Sequence, residues 1–245
     1  QTGTGKTAAF GIPILNRVSS GRGLQALVLC PTRELAVQVC EEIGFLGRAL
    51  DISVLAVYGG QSIEVQFRAL KKGPEIIIGT PGRLLDHMRR GTIDLSSLKF
   101  LVLDEADEML DMGFLPDIEK VLEQCPSERQ TFLFSATLLE DIRGLASRFM
   151  INPELVMVEP EIKTIALLQQ RYYIVPSRQK IAGLCRILDL EQPKVSLIFC
   201  RTKKGADELA RLLNRRGYSA DALHGDMSQR ERDNTMQRFR QGRSR

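Results

Sequence analysis

The sequence predicts an α/β protein built on a parallel, doubly wound sheet, and three observations predict it. Short apolar runs such as Leu27-Val28-Leu29-Cys30 and Phe100-Leu101-Val102-Leu103 show no polar alternation, as expected of strands buried on both faces. Each run ends in a polar tip. A stretch of helical period follows the tip, and the strand, tip, helix unit then recurs, which is the pattern of a parallel sheet wrapped by helices. Such sheets bind ligands beyond the carboxyl ends of their strands, so the polar tips are where function is sought.

In chain order, residues 5–18 read as a helix that Pro13 kinks or shortens. Residues 24–30 read as a strand, Pro31 to Ala36 as its tip, and a helix runs on to about residue 50. The unit repeats as strand 53–57, Gly59-Gly60 and a helix to Lys71, then as strand 75–78, Thr80 to Arg83 and a helix to Arg90. Strand 100–103 leads into Asp104-Glu105-Ala106-Asp107. Beyond it come helix 114–124, strand 131–134 with the tip Ser135-Ala136-Thr137, and strand 155–158, which closes a first domain over residues 1–158. Residues 159–169, with Pro160 and no periodicity, read as a linker. A second domain over 170–245 is expected to hold strands 170–175, 195–200 and 219–223 and helices 177–190, 203–216 and 229–241. Three strands make a thin sheet, the last helix feeds no strand, and no strand precedes Gln1. The expectation is an internal stretch of a longer protein.

Composition narrows the class. A chain of 245 residues is long enough for two domains, and 43% hydrophobic with 26% charged residues excludes a disordered polymer. No apolar run approaches the roughly 18–20 residues of a membrane span and no signal-peptide pattern opens the chain, so a cytoplasmic monomer with no membrane partner is expected. The cysteines are Cys30, Cys40, Cys125, Cys185 and Cys200, with no C-x2-C pair. With only His87 and His224 beside them, neither a disulfide framework nor a zinc site is indicated. Charge is uneven: 16 Lys/Arg against 21 Asp/Glu through Pro160, then 18 against 9 from Glu161 onward. A basic second half suits a phosphate backbone, although such charges are also ordinary on solvated helix faces.

Two segments carry chemistry together. Thr2-Gly3-Thr4-Gly5-Lys6-Thr7 offers amides that cradle phosphates, a cation for their charge, and in Thr7 a hydroxyl that ligates Mg²⁺. The acids from Asp104 lie at the end of a buried strand and so point into the same cleft. Separately each is weak, since terminal glycines can be a loose end and acids at a helix start can complement its dipole. Jointly they read as an Mg-nucleotide site. Only the last part of the Gly-x4-Gly-Lys-Thr pattern is present, because its first glycine would precede Gln1.

With these motifs in order along nearly all of the chain, the sequence resembles the DEAD-box ATP-dependent RNA helicases, of bacterial type. The resemblance implies two RecA-like parallel-sheet domains, the second incomplete. It implies ATP and Mg²⁺ as cofactors, with Thr2, Gly3, Thr4, Gly5, Lys6 and Thr7 around the phosphates and Thr7 and Asp104 at the metal. Glu105 is implied as the base that positions water, with Lys6 and Asp104 as its catalytic companions. RNA, held by its backbone without regard to sequence, is implied at Pro31, Thr32, Arg33, Gly59, Gly60, Thr80, Pro81, Gly82 and Arg83, and at Arg201 in the second domain. Asp107, Ser135, Thr137, Gln229 and Arg232 are implied to couple the domains. Arg33 and Arg83 could instead cap helices or pair with acids, and Asp107, Ser135 and Thr137 could merely stitch loops. The adenine-reading segment and the arginine-finger motif of the family are missing from these residues, so a binding module with weak hydrolysis is an alternative. Others are an ATP-gated RNA clamp with little unwinding and a DNA-directed translocase. All require Lys6 and Asp104 to face one another across one crevice.

Overall fold

The structure, a computed structural model, describes residues 5–138, 140–157 and 169–243. The chain divides into two compact units, Gln1–Met157 and Val158–Arg245. The expected linker lies, up to residue 168, outside the described residues.

In the first unit β1 (Ala26–Leu29), β2 (Val54–Val57), β3 (Ile76–Gly79), β4 (Phe100–Leu103) and β5 (Gln130–Leu133) form one sheet in the order β2-β3-β1-β4-β5. Every neighbouring pair is parallel, with Leu27 in register with both Ile77 and Leu101. From β1 the chain winds to one side through β2 and β3, and from β4 to the other side through β5. The winding reverses between β1 and β4, and that reversal opens a crevice beyond their carboxyl ends.

The helices are α1 (Lys6–Leu15), α2 (Arg33–Leu46), α3 (Ile63–Leu70), α4 (Pro81–Arg89), α5 (Ala106–Asp111), α6 (Leu115–Glu123) and α7 (Glu140–Phe149). Alternate strand residues feed two cores. Ala26, Val28, Ile78 and Val102 pack with Phe10 and Ile14 of α1 and Val39 and Ile43 of α2. Leu27, Leu29, Leu101 and Leu103 pack with Leu84 of α4, Met109 of α5, Ile118 of α6 and Leu145 of α7 on the other face. Each such side chain contributes about 1.5–3 kcal/mol by leaving water, which is why the three inner strands hold no polar residue. The two-sided burial fixes both helical layers, and with them where each strand's tip emerges.

Local chemistry sets where the helices begin. Thr32, in extended conformation, caps α2 by accepting from the Leu35 N–H at 3.2 Å. Pro81 occupies the first turn of α4, where its missing donor costs nothing. Gly79 ends β3 because a Cβ there would lie 2.6 Å from the Val57 carbonyl oxygen and 2.9 Å from Leu84 Cγ. The glycine lets α4 start directly against the sheet.

Several expected elements differ. Of the expected strand 155–158, residues 155–157 form no strand and stand exposed and Val158 lies outside the described residues, so among the described residues the sheet ends at β5. Helix α7, absent from the sequence reading, is spaced by Ile142, Leu145 and Phe149, with Gly144 interrupting its pattern. In the second unit a short 3-10 turn (Ser177–Gln179) leads into α8 (Lys180–Glu191), followed by α9 (Lys203–Arg215) and α10 (Gln229–Arg240). The expected strands at 170–175, 195–200 and 219–223 are irregular, and Ile174 and Phe199 are each 90% exposed. Apolar composition makes a strand only where a neighbour supplies hydrogen bonds, and among the described residues of this unit none does. No described helix is long and apolar enough to cross a membrane.

Candidate active site

Of the expected phosphate loop, Thr2, Gly3 and Thr4 lie outside the described residues. Gly5 caps α1 in the left-handed region, with φ 78°, which its missing Cβ permits. Lys6 and Thr7 open the helix. Phe10, one turn on, packs its ring 5.4 Å from that of Phe134 beyond β5, and Gly11 lies against Ile43 of α2. These contacts hold the start of α1 over the crevice. The Lys6 Nζ lies 4.0 Å from Asp104 Oδ1 and 3.8 Å from Glu105 Oε1. The structure thus brings together the amine and the acids on which the sequence reading depends.

Those distances attract charge but are too long for hydrogen bonds. Asp104 is tied to β1 through its N–H, which donates to the Leu29 carbonyl at 2.9 Å. Its side chain is buried, and Oδ1 lacks a hydrogen-bond partner among the described residues. Burial pushes the Asp104 carboxyl above the ordinary range; the Lys6 charge opposes this and the Glu105 charge reinforces it. A dry carboxylate oxygen beside an ammonium that does not bond it is suited to ligate a cation. No group of three or more His, Cys, Asp or Glu converges among the described residues. A hard ion here would therefore complete its shell with phosphate oxygens and water.

Glu105 differs from its neighbour. It caps α5 at φ 52° and ψ 53°, a left-handed backbone that costs a non-glycine residue about 1–2 kcal/mol. Its side chain is 32% exposed, so water reaches it. The Cys30 thiol at the end of β1 is pushed up by burial and then by the charges of Asp104 and Glu105, which keeps it protonated and inert.

Asp107 joins α5 to the tip after β5. Its Oδ2 accepts from the Ala136 N–H at 3.1 Å, the Thr137 N–H at 3.0 Å and the Thr137 hydroxyl at 3.0 Å, while Ser135 Oγ donates to the Thr137 carbonyl. Burial disfavours the Asp107 charge, but these bonds outweigh it and hold the carboxyl below its ordinary range. Strain, an orphaned carboxylate and a three-donor clasp thus meet at the ends of β4 and β5.

Two family patterns match the chain. That of the DEAD/DEAH box helicase family matches residues 1–145, more than half of the chain, and that of the helicase conserved C-terminal domain matches 179–245. The chain belongs to the DEAD/DEAH box helicase family. It is 52% identical over 243 residues to the DEAD-box ATP-dependent RNA helicase CshA of Geobacillus kaustophilus, covering 99% of this chain and 52% of the relative. It is 51% identical to CshA of Bacillus subtilis, covering 99% of this chain and 49% of that protein. The chain spans about half the length of the curated relatives it matches. Among solved structures it is similar to a DEAD box protein from the hyperthermophile Methanococcus jannaschii, with a TM-score of 0.61 and 40% identity over 100% of this chain and 66% of that one.

In this helicase-family sheet the expected RNA tips follow β1, β2 and β3, which are neighbours, whereas the acids and Ser135 to Thr137 follow β4 and β5. The winding order therefore sorts the tips into two groups along one edge. Pro31 is buried, Thr32 caps α2, and the Arg33 guanidinium sits 4.8 Å over the Tyr58 ring. Gly59 and Gly60 are exposed in the turn after β2, with Gly60 at φ 83°. Thr80, Pro81 and Gly82 form the start of α4, and Arg83 Nη1 donates to the Gln61 carbonyl at 3.0 Å and to Gln66 Oε1 at 2.9 Å.

Sequence reasoning passed over Gln66 and His87. Gln66 interrupts the half-buried apolar stripe of Ile63, Phe67 and Leu70 on α3 yet is itself 1% exposed, and that polar break in an apolar stripe was its readable signal. His87 is fully buried; burial and then the Arg83 charge lower its pKa and keep it neutral. In the second unit Arg201 is exposed beside Thr202, which caps α9 by accepting from Gly205 N–H at 3.0 Å. Gln229 opens α10 behind the capping box of Ser228 and Glu231, its side chain lying outside the described residues, and Arg232 is half-buried on the same helix. His224 Nε2 lies 3.0 Å from Asp207 Oδ1.

Proposed function

We propose that this chain is the nucleotide- and RNA-handling core of an ATP-dependent RNA helicase, hydrolysing ATP to ADP and phosphate in response to RNA and using the cycle to separate short duplexes locally. The observation that carries the reading is the Lys6 ammonium set between the Asp104 and Glu105 carboxylates at the switch point of the sheet. A cation flanked by acids and preceded by a glycine turn matches a triphosphate whose charge must be neutralised as it reacts.

In this mechanism the backbone amides from Thr2 to Lys6 receive the phosphates, with Gly3 and Gly5 letting the chain approach closely. The Lys6 amine moves from the acids to the β and γ oxygens when nucleotide enters, an exchange favoured because neither acid hydrogen-bonds it. Asp104, with its orphaned Oδ1, and the Thr7 hydroxyl fit Mg²⁺ and would hold it. When bound, the ion supplies further neutralisation of phosphate charge. Glu105, strained and water-accessible, orients the attacking water and receives its proton. The Asp107 clasp on Ala136 and Thr137 transmits the state of the site to the adjoining tip.

RNA binds across Pro31 to Arg33, Gly59-Gly60 and Thr80 to Arg83. With aromatics at 6% and no tryptophan, the contacts favour phosphates and sugars over stacked bases. Arg201, Gln229 and Arg232 serve RNA and domain coupling from the second unit, whose basic balance supports a phosphate-rich partner. The names of the relatives, ATP-dependent RNA helicases, support the same reading. Phosphate release from Mg-ATP is to be measured alone, with RNA and with single- or double-stranded DNA. Stimulation by RNA is expected; stimulation by DNA alone, or by neither, overturns the proposal.

A further inference from the structure

Between α3 and α4 lies a buried polar cluster that the nucleotide chemistry does not use. At its centre the Gln66 amide has all four of its hydrogen-bonding positions filled. Its Nε2 donates to the Tyr58 carbonyl at 2.9 Å and to Gln61 Oε1 at 2.9 Å. Its Oε1 accepts from Arg83 Nη1 at 2.9 Å and pairs with His87 Nε2 at 2.9 Å. Because Gln66 Oε1 can only accept, Nε2 is the protonated nitrogen of His87; the Thr92 hydroxyl lies 2.9 Å from both Nδ1 and the His87 carbonyl oxygen, and its one proton is shared between these two acceptors. Phe67 meets the His87 ring edge-on, with ring centroids 5.4 Å apart.

The partners of this amide belong to the tips. Tyr58 immediately precedes Gly59-Gly60, and its ring carries the Arg33 guanidinium. Gln61 immediately follows the same glycines, and Arg83 ends the Thr80 to Arg83 segment. One side chain thus ties the tips after β2 and β3 to each other, and the tip after β1 joins them through the Arg33 guanidinium on the Tyr58 ring. The bonds take only Nη1 of Arg83, while the Nε and Nη2 donors take no part in the cluster.

Resting on the RNA-binding reading above, we propose that Gln66 and His87 are positioning residues for RNA: Gln66 sets the three tips at one spacing, and His87, braced by Thr92, fixes which way the Gln66 amide points. A filled buried amide is a rigid joint, since rotating it would strand several groups at once. Rigidity suits a surface that reads the fixed spacing of successive phosphates.

The test compares the chain with its Gln66→Met, His87→Leu, His87→Gln and Thr92→Val variants. RNA affinity is measured against salt concentration, with Mg²⁺ and a non-hydrolysable ATP analogue present, well below each variant's thermal midpoint. Gln66→Met keeps length and helix propensity but removes every bond of the hub, and about a tenfold loss of RNA affinity is expected. The slope of log affinity against log salt should also fall by about one as Arg83 leaves its phosphate. His87→Leu should weaken binding similarly, His87→Gln should restore most of it by returning a donor toward Gln66 Oε1, and Thr92→Val should lose less. A purely architectural cluster predicts lower thermal midpoints with unchanged RNA affinity and salt slope, and that result overturns the proposal. If Gln66→Met does not fold, the contrast between His87→Gln and His87→Leu decides. Absence of RNA binding by the unaltered chain overturns the RNA reading itself, whereas wild-type affinity in the folded variants overturns this inference alone.

Discussion

Replacing Asp104 with asparagine should stabilise the first unit while abolishing the ATP turnover proposed for the chain. Asp104 is 2% exposed, its Oδ1 has no hydrogen-bond partner among the described residues, and the Lys6 Nζ stands 4.0 Å away without bonding it. Two unit charges at that separation attract by about 4 kcal/mol at an effective dielectric of 20, an upper bound because Lys6 is partly in water. Burying a carboxylate costs several kcal/mol, and Glu105 adds repulsion. The raised pKa of Asp104 says which side wins: the neutral form is favoured relative to the unfolded chain. Asparagine has nearly the same shape as aspartate without the charge, so a gain of about 0.5–2 kcal/mol at pH 7 is expected for Asp104→Asn.

The sign with pH follows. A carboxyl whose folded pKa exceeds its unfolded value contributes stability below the unfolded pKa, and that contribution is lost as pH rises through the folded one. The advantage of the variant should accordingly shrink as pH falls from 7 through the raised pKa to the ordinary aspartate value of 3.8. Native-state hydrogen exchange at the β1 and β4 amides reports unfolding of this unit alone. Phosphate release with RNA reports function. A variant less stable than wild type by about 1 kcal/mol or more at pH 7 would mean that the Lys6 pair dominates, and the description of Asp104 as a carboxylate held ready for a cation would be wrong.

Glu105→Gln should keep nucleotide and RNA affinity but lower turnover by about 10²–10⁴, read in single-turnover assays; full activity removes Glu105 from the base role. Gly79→Ala, which would put a Cβ 2.6 Å from the Val57 carbonyl oxygen, should cost about 1–3 kcal/mol or more in denaturant titrations, and an unchanged midpoint would contradict the packing of α4 on β2 and β3. Asp107→Asn should cost about 1–2 kcal/mol, since exposed Ala136 and Thr137 can recover water, and their amides should exchange faster. The depressed Asp107 pKa means that this stabilisation holds above the unfolded carboxylate value and is lost as pH falls through the lower folded one. Wild-type protection of both amides in that variant would show that the clasp contributes nothing.

By itself the sequence determined the parallel sheet, because runs such as Ile76-Ile77-Ile78 and Phe100 to Leu103 can be satisfied only by burial on both faces. It also determined that polar tips end the strands, since Thr32, Pro81 and the acids stop one element and start the next. Tertiary structure alone decided the strand order, and hence that Lys6 meets Asp104 and Glu105 while Arg33 and Arg83 lie over neighbouring strands. Spatial order depends on how helices cover each face, which no local pattern encodes. It also decided that the apolar runs of the second unit remain outside any ladder among the described residues, because strand propensity needs a neighbour. The Gln66 hub has the same origin: a glutamine in an apolar stripe looks like a flaw until folding surrounds it with partners for every donor and acceptor it carries.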